Sequence, residues 1–135
     1  MSDRVFFDTT ILIYAISDGD ERMEIAERLL AAGGTLSVQV LNEFAAVAKR
    51  KLKMSWPEIA EALDAARVLC DPAIPVTVEV HEAALRIAAR YGYQIYDSLI
   101  LAAALEAGCD VLYSEDMQDG QKIDSLTIRN PFLAN

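Results

Sequence analysis

One histidine and two cysteines are all this chain offers of the soft ligands that zinc prefers, which excludes a zinc site of the His/Cys type. Cys70 and Cys109 lie far apart and outside any CxxC pattern, as expected of reduced thiols in a cytoplasm. No apolar run approaches the ~20 residues that span a bilayer, so no membrane partner is expected. The opening Met1-Ser2-Asp3-Arg4 has no basic segment followed by a long apolar one, and no signal peptide is read there. Cations are scarce as well. Twelve Lys and Arg face 21 Asp and Glu, a formal net charge of −9. Sequence-independent binders of nucleic acid are usually basic, so bulk charge argues against such a partner. Divalent ions held by a gathering of acids would reverse that sign locally.

What the chain does have is apolar material: 53% of its 135 residues, enough for one domain (residues 1–135) with one core and too much for disorder. Its pattern alternates between two periods. Residues 4–7 read as a buried strand, followed by a short apolar helix from Thr10 to Ser17 that Asp18-Gly19-Asp20 breaks. A second helix is expected from about Glu21 to Ala32, stopped by Gly33-Gly34. Thr35-Leu36-Ser37 reads as a strand, and Leu41, Phe44, Ala45, Ala48 and Leu52 as the apolar face of a helix ending in cations. Ser55-Trp56-Pro57-Glu58 has the form of a capping box opening a helix to about Cys70. Ile74-Pro75-Val76 is a weak strand candidate, confined by its proline to an edge. A helix through Val80, Ala84, Ile87 and Tyr91 stops at Gly92. Asp97 then stands before an almost wholly apolar helix, Ser98 to Leu105. Strands are expected at Val111–Tyr113 and Leu126–Ile128. This alternation implies an α/β fold with a mostly parallel sheet covered on both faces.

In such sheets ligands bind beyond the carboxyl ends of the strands, and four acids fall at or near that edge. Asp8 ends the first strand; it reads equally well as a helix N-cap and as a site residue. Glu43 has Gln39, Val40, Ala46 and Val47 at helical spacing, none a cation, so the usual salt-bridge account of a helical Glu is missing. Asp97 has N-capping as its plain explanation, and the two roles can coexist. Asp116 follows a strand as Asp8 does. Asp119, before Gly120, suits a turn yet lies within reach of the same edge, and Glu115 reads as solvated. Acids that met without compensation would resist joint ionisation. A hard cation such as Mg²⁺ or Mn²⁺ resolves that conflict, and it can ionise water for attack on a phosphoryl group. His81 has no Ser or Cys motif beside it and reads as a surface or capping residue.

Phe7-Asp8-Thr9-Thr10-Ile11-Leu12, Asn42-Glu43-Phe44, Ile95-Tyr96-Asp97-Ser98-Leu99-Ile100 and Leu112-Tyr113-Ser114-Glu115-Asp116 together resemble the PIN-domain family, which includes VapC-type toxins. The resemblance runs from residue 4 to Asn130-Pro131-Phe132. It implies a three-layer α/β/α sandwich and a Mg²⁺- or Mn²⁺-dependent endoribonuclease, the toxin of a toxin–antitoxin pair. Asp8, Glu43, Asp97 and Asp116 would form its catalytic and metal-holding quartet, with Thr10 and Ser114 as supports and Asp119 as a further ligand. RNA, a cognate antitoxin and a second copy of the chain are the partners it implies. Ser98 departs from the alanine common after the third acid. A dehalogenase-type phosphatase would need a second Asp where Thr10 stands, and a receiver domain needs a mid-chain strand where Glu43 lies in a helical pattern. A PIN fold kept as a binding or scaffold module is the non-enzymatic alternative.

Overall fold

The structure is a computed structural model and describes residues 3–133. Strand β1 (Val5–Phe7) leads into α1 (Thr9–Ala15), α2 (Arg22–Ala31), α3 (Val38–Arg50), α4 (Trp56–Leu69), α5 (Val78–Tyr91) and α6 (Ile95–Glu106). Strands β2 (Val111–Tyr113), β3 (Lys122–Ile123) and β4 (Leu126–Arg129) complete the sheet. The strand order is β1-β2-β4-β3, parallel except for the β3–β4 hairpin. Helices cover both faces, which makes the molecule an α/β/α sandwich. Helix α5 packs on α6, while α1 packs against α2 and α3 and α3 reaches α4 and α6.

Local chemistry explains most helix starts. The Ser37 and Thr77 hydroxyls accept from Val40 N–H and Val80 N–H. Ser55 and Glu58 form the reciprocal capping box, which satisfies two N–H groups that a helix start leaves over. Helix α6 begins earlier than expected. Gln94 is its N-cap, accepting from Tyr96 N–H, so Asp97 lies inside the first turn instead of before it. Phe6, Phe44, Ile100, Leu101 and Leu112 are fully buried at the centre. Leu52, placed on the α3 core face by its spacing, lies beyond the helix end and is exposed.

Two expected strands are reduced to single bridges. Thr35 pairs with Phe6 and Ser37 with Ile74, both parallel. Three-residue segments beside Pro75, which has no N–H to give, cannot extend that ladder. The segment runs so close to β1 that a Cβ on Gly34 would lie 2.5 Å from the Phe7 ring, so only glycine fits there. The short strand β3 has no counterpart in the sequence pattern. Its two residues are turned back by Asp124, whose φ of 53° is the left-handed geometry that tight hairpins require. Both cysteines are free thiols, Cys109 buried and Cys70 half-buried. Among the described residues no helix is long and apolar enough to cross a membrane.

Candidate active site

Because β1 and β2 are parallel neighbours, their carboxyl ends put Asp8 beside Ser114. Asp8 N–H donates to Tyr113 C=O at 3.0 Å, which fixes the backbone at the sheet edge. The Asp8 carboxylate is buried, and each of its oxygens has one donor. Thr9 N–H reaches Oδ1 at 2.7 Å and the Ser114 hydroxyl reaches Oδ2 at 2.6 Å. Ser114, fully buried, also accepts from Met117 N–H at 3.2 Å, so its rotamer is held from both sides. The N-cap reading and the site reading of Asp8 are thus compatible in one geometry.

Asp8 gains no cation from these contacts. Burial, the largest influence, pushes its pKa up to about 7; Ser114 and Thr9 lower it, and the charges of Asp97 and Glu43 raise it. Glu43, on α3, accepts from Gln39 Nε2 at 2.9 Å and from Thr9 Oγ1 at 3.5 Å. Burial raises its pKa, Gln39 and Thr9 lower it, and Asp97 and Asp116 raise it. Asp97 is raised by burial first and by Asp116 as well, against a lowering contact from Gln94. The charged neighbours bearing on these three acids are all carboxylates. Asp116 is exposed, in the bend after β2.

The remaining candidates are placed differently. The Thr10 hydroxyl does not reach Asp8; it is buried without a hydrogen-bond partner, and Thr9 takes the supporting position because an N-cap accepts from the helix start immediately after it. That orphaned hydroxyl, two residues from Asp8, would be satisfied by an ordered water or ligand at this edge. Asp119 Oδ1 accepts from Asn130 N–H at 2.8 Å, which ties the loop before β3 to the end of β4. Glu115, read as solvated, is half-buried and paired: it accepts from the Tyr14 hydroxyl and from Arg22 Nη1 at 2.9 Å. The Tyr14 and Arg22 contributions carry no short-range sequence signal, since they lie 101 and 93 residues away from Glu115. Gln39 was legible in principle, four residues before Glu43 on the same helix face. His81 is exposed on α5, away from these groups.

Among the described residues no three His, Cys, Asp or Glu side chains form a ready-made metal cluster. The donor chemistry nonetheless fits a hard divalent cation: carboxylate oxygens, and acids that burial first and neighbouring carboxylates second push toward the protonated form, with no cation to offset either. Asp8, Glu43, Asp97 and Asp116 are the residues that could hold it.

No curated protein matches the chain. Solved structures do. The VapC20 toxin of Mycobacterium tuberculosis, described as cleaving the sarcin–ricin loop, is 25% identical, with 83% of this chain and 89% of that one covered at a TM-score of 0.68. A toxin–antitoxin complex from Klebsiella pneumoniae is similar at 21% identity, with 95% and 98% covered and a TM-score of 0.69. VapBC2 of Rickettsia felis, solved with a promoter DNA fragment, is 21% identical, with 93% and 97% covered and a TM-score of 0.64. At 21% identity these last two speak to the fold alone. The PIN-domain family model matches residues 5–119, a span that holds β1 through β2 and every acid of the strand-end set. Strand order, strand-end acids and family model agree: the chain belongs to the PIN-domain family.

Proposed function

We propose that residues 1–135 form a single-domain, Mg²⁺- or Mn²⁺-dependent endoribonuclease that acts in the cytoplasm as the toxin of a toxin–antitoxin pair. One observation carries the reading: a buried carboxylate at a strand end, held by Ser114 and Thr9, faces other carboxylates and no cation. A purely structural acid in that position would have been given a positive partner. The relative that cleaves the sarcin–ricin loop supports an RNA substrate, and a cognate antitoxin is proposed on the family resemblance. A homodimer is proposed on the family resemblance.

In this reading Asp8, Glu43, Asp97 and Asp116 are the catalytic and metal-holding acids. A divalent ion bound there supplies an ionised water and neutralises charge on a phosphoryl oxygen. The chain's own groups supply the order. Ser114 and Thr9 fix both oxygens of Asp8 before any ligand arrives, and Gln39 holds Glu43 from the preceding turn. Thr9 thus contacts two acids, Asp8 through its backbone N–H and Glu43 through its hydroxyl. The raised pKa values mean that ion binding displaces protons, so affinity should climb with pH. With a net charge of −9, the protein should bind RNA weakly except where this local charge is neutralised.

The test is cleavage of single-stranded RNA in Mn²⁺. Cutting should stop with chelator and in Asp97→Asn, whose fold should be intact by circular dichroism. Cleavage that survives both treatments would sink the reading.

A further inference from the structure

Beside Glu43 an open cleft of about 550 Å³ runs between α3 and the start of α6, lined by Gln39, Asn42, Arg50, Gln94 and Tyr96 as well as Glu43 itself. Its size is within the ~300–1,000 Å³ range of small-molecule sites. Two of its amides are already engaged: Gln39 donates to Glu43, and Gln94 accepts from Tyr96 N–H. The side chains left free have a distinct chemistry. Tyr96 is 57% exposed, a large aromatic surface in a wall of small and polar residues. Arg50 is exposed in the last turn of α3 and makes none of the ion pairs found among the described residues. The neighbouring cation Lys49 is otherwise engaged, its Nζ lying 5.0 Å from the centre of the Trp56 ring.

An exposed aromatic, an unpaired guanidinium and a free amide next to an acidic site make a surface for a nucleotide. Bases stack on aromatic faces, and guanidinium forks grip phosphate. We propose that this cleft is the subsite for a nucleotide flanking the bond that is cut, with Tyr96 stacked on its base and Arg50 paired with its phosphate. The proposal rests on the ribonuclease reading and adds where the substrate lies. It also explains how an acidic protein can seat a polyanion. Arg50 supplies positive charge one step away from the acids, and Tyr96 supplies attraction that does not depend on charge. Gln39 and Gln94 are each tied by one hydrogen bond, and Asn42 adds a third amide. So few donors and acceptors facing a base edge should give only a slight base preference at this position.

The experiment measures binding of a short fluorescein-labelled single-stranded RNA by anisotropy in Ca²⁺, with the RNA checked intact by gel electrophoresis, together with initial-rate cleavage in Mn²⁺. Tyr96→Ala should weaken binding roughly tenfold, with the cleavage defect in KM more than in kcat. Tyr96→Phe should retain wild-type affinity, since stacking needs the ring and not the hydroxyl. Arg50→Gln should lower the slope of log affinity against log salt by about 0.7, the share of one single-strand phosphate contact. Lys122→Gln removes the same charge on edge strand β3, outside the cleft, and should leave that slope intact. If the wild type cuts RNA while Tyr96→Ala and Arg50→Gln bind as it does, the subsite is wrong and the ribonuclease reading stands. If Tyr96→Phe is as weak as Tyr96→Ala, a hydroxyl contact replaces stacking and the proposal falls. A wild type that neither binds nor cuts RNA removes both.

Discussion

Two groups of acids, one around Glu115 after β2 and one around Asp8 after β1, are treated in opposite ways. Around Glu115, Arg22 pairs with both Glu115 and Asp20 at 2.9 Å, and its guanidinium stacks 3.9 Å from the centre of the Tyr14 ring. Asp20, held first of all by the Arg22 hydrogen bond, has its pKa drawn down to about 2. Around Asp8 the protein supplies hydrogen bonds and further carboxylates but no cation, and the pKa rises to about 7. Where charge serves the fold, it is compensated within the chain. Where it is left uncompensated, in the proposed reading a bound cation supplies the compensation.

The strongest way to break the comparison is Asp8→Asn. The substitution keeps the shape that Ser114 and Thr9 grip, so the fold should survive. Cleavage should drop roughly 10³-fold, the scale of losing one preorganised group at a reacting centre. The metal-free variant should at the same time unfold at a higher temperature than wild type at mildly alkaline pH, because a buried uncompensated charge is gone. An active variant, or one less stable than wild type under those conditions, would contradict the contrast.

Titration of the metal-free protein probes the same difference with no mutation. Asp8 has a folded pKa raised from 3.8 to about 7, so its contribution favours the fold below the unfolded pKa and is lost as pH rises through the folded one. From about pH 5 to about pH 8 stability should fall by an amount on the order of 3 kcal/mol. Asp20 has the reverse sign: its contribution is present above 3.8 and lost as pH falls through about 2, outside that window. Mn²⁺ should restore the loss at the alkaline end. Thermal melts that are flat across the window, or that ignore the ion, would count against an uncompensated cluster.

Ser114→Ala should act more gently. Removing a hydrogen bond that lowers the Asp8 pKa should reduce activity about tenfold and move the rising limb of the pH–rate profile to higher pH. A uniform loss at all pH values would assign Ser114 to packing instead. Smallest of all, Arg22→Gln should lower stability only slightly, because the partly exposed pairs it breaks are screened by water. That cost should be the same with and without Mn²⁺, as measured by chemical denaturation.

The carboxyl ends of two strands and the lack of a cation near Glu43 were visible one segment at a time, because each depends on neighbours a few residues away. The same holds for the capping box at Ser55 and the stop at Gly92, where local hydrogen bonding decides the backbone. Sequence reasoning failed where partners are remote or geometry is fine-grained. Glu115 looks solvated until α1 and α2 bring Tyr14 and Arg22 to it. The family resemblance points to Thr10 as the support of Asp8, but the contact comes from the backbone N–H of Thr9, which any residue there could supply and no side-chain pattern marks. Asp97 shifted into the first turn of α6 because Gln94, a less usual cap, took the position an aspartate normally fills. Strand β3 rests on one left-handed residue and two paired ones, too little to leave a period in the sequence.

The hydrogen bond between Ser114 and Asp8 joins residues 106 positions apart. The ribosome therefore releases the first acid long before its holder is made. Until β2 has emerged and paired with β1, the strand-end carboxylate has neither its sheet neighbour nor its hydroxyl donor. An unfinished or truncated chain carries the acids without the arrangement that gives them meaning, so premature release yields an inert fragment.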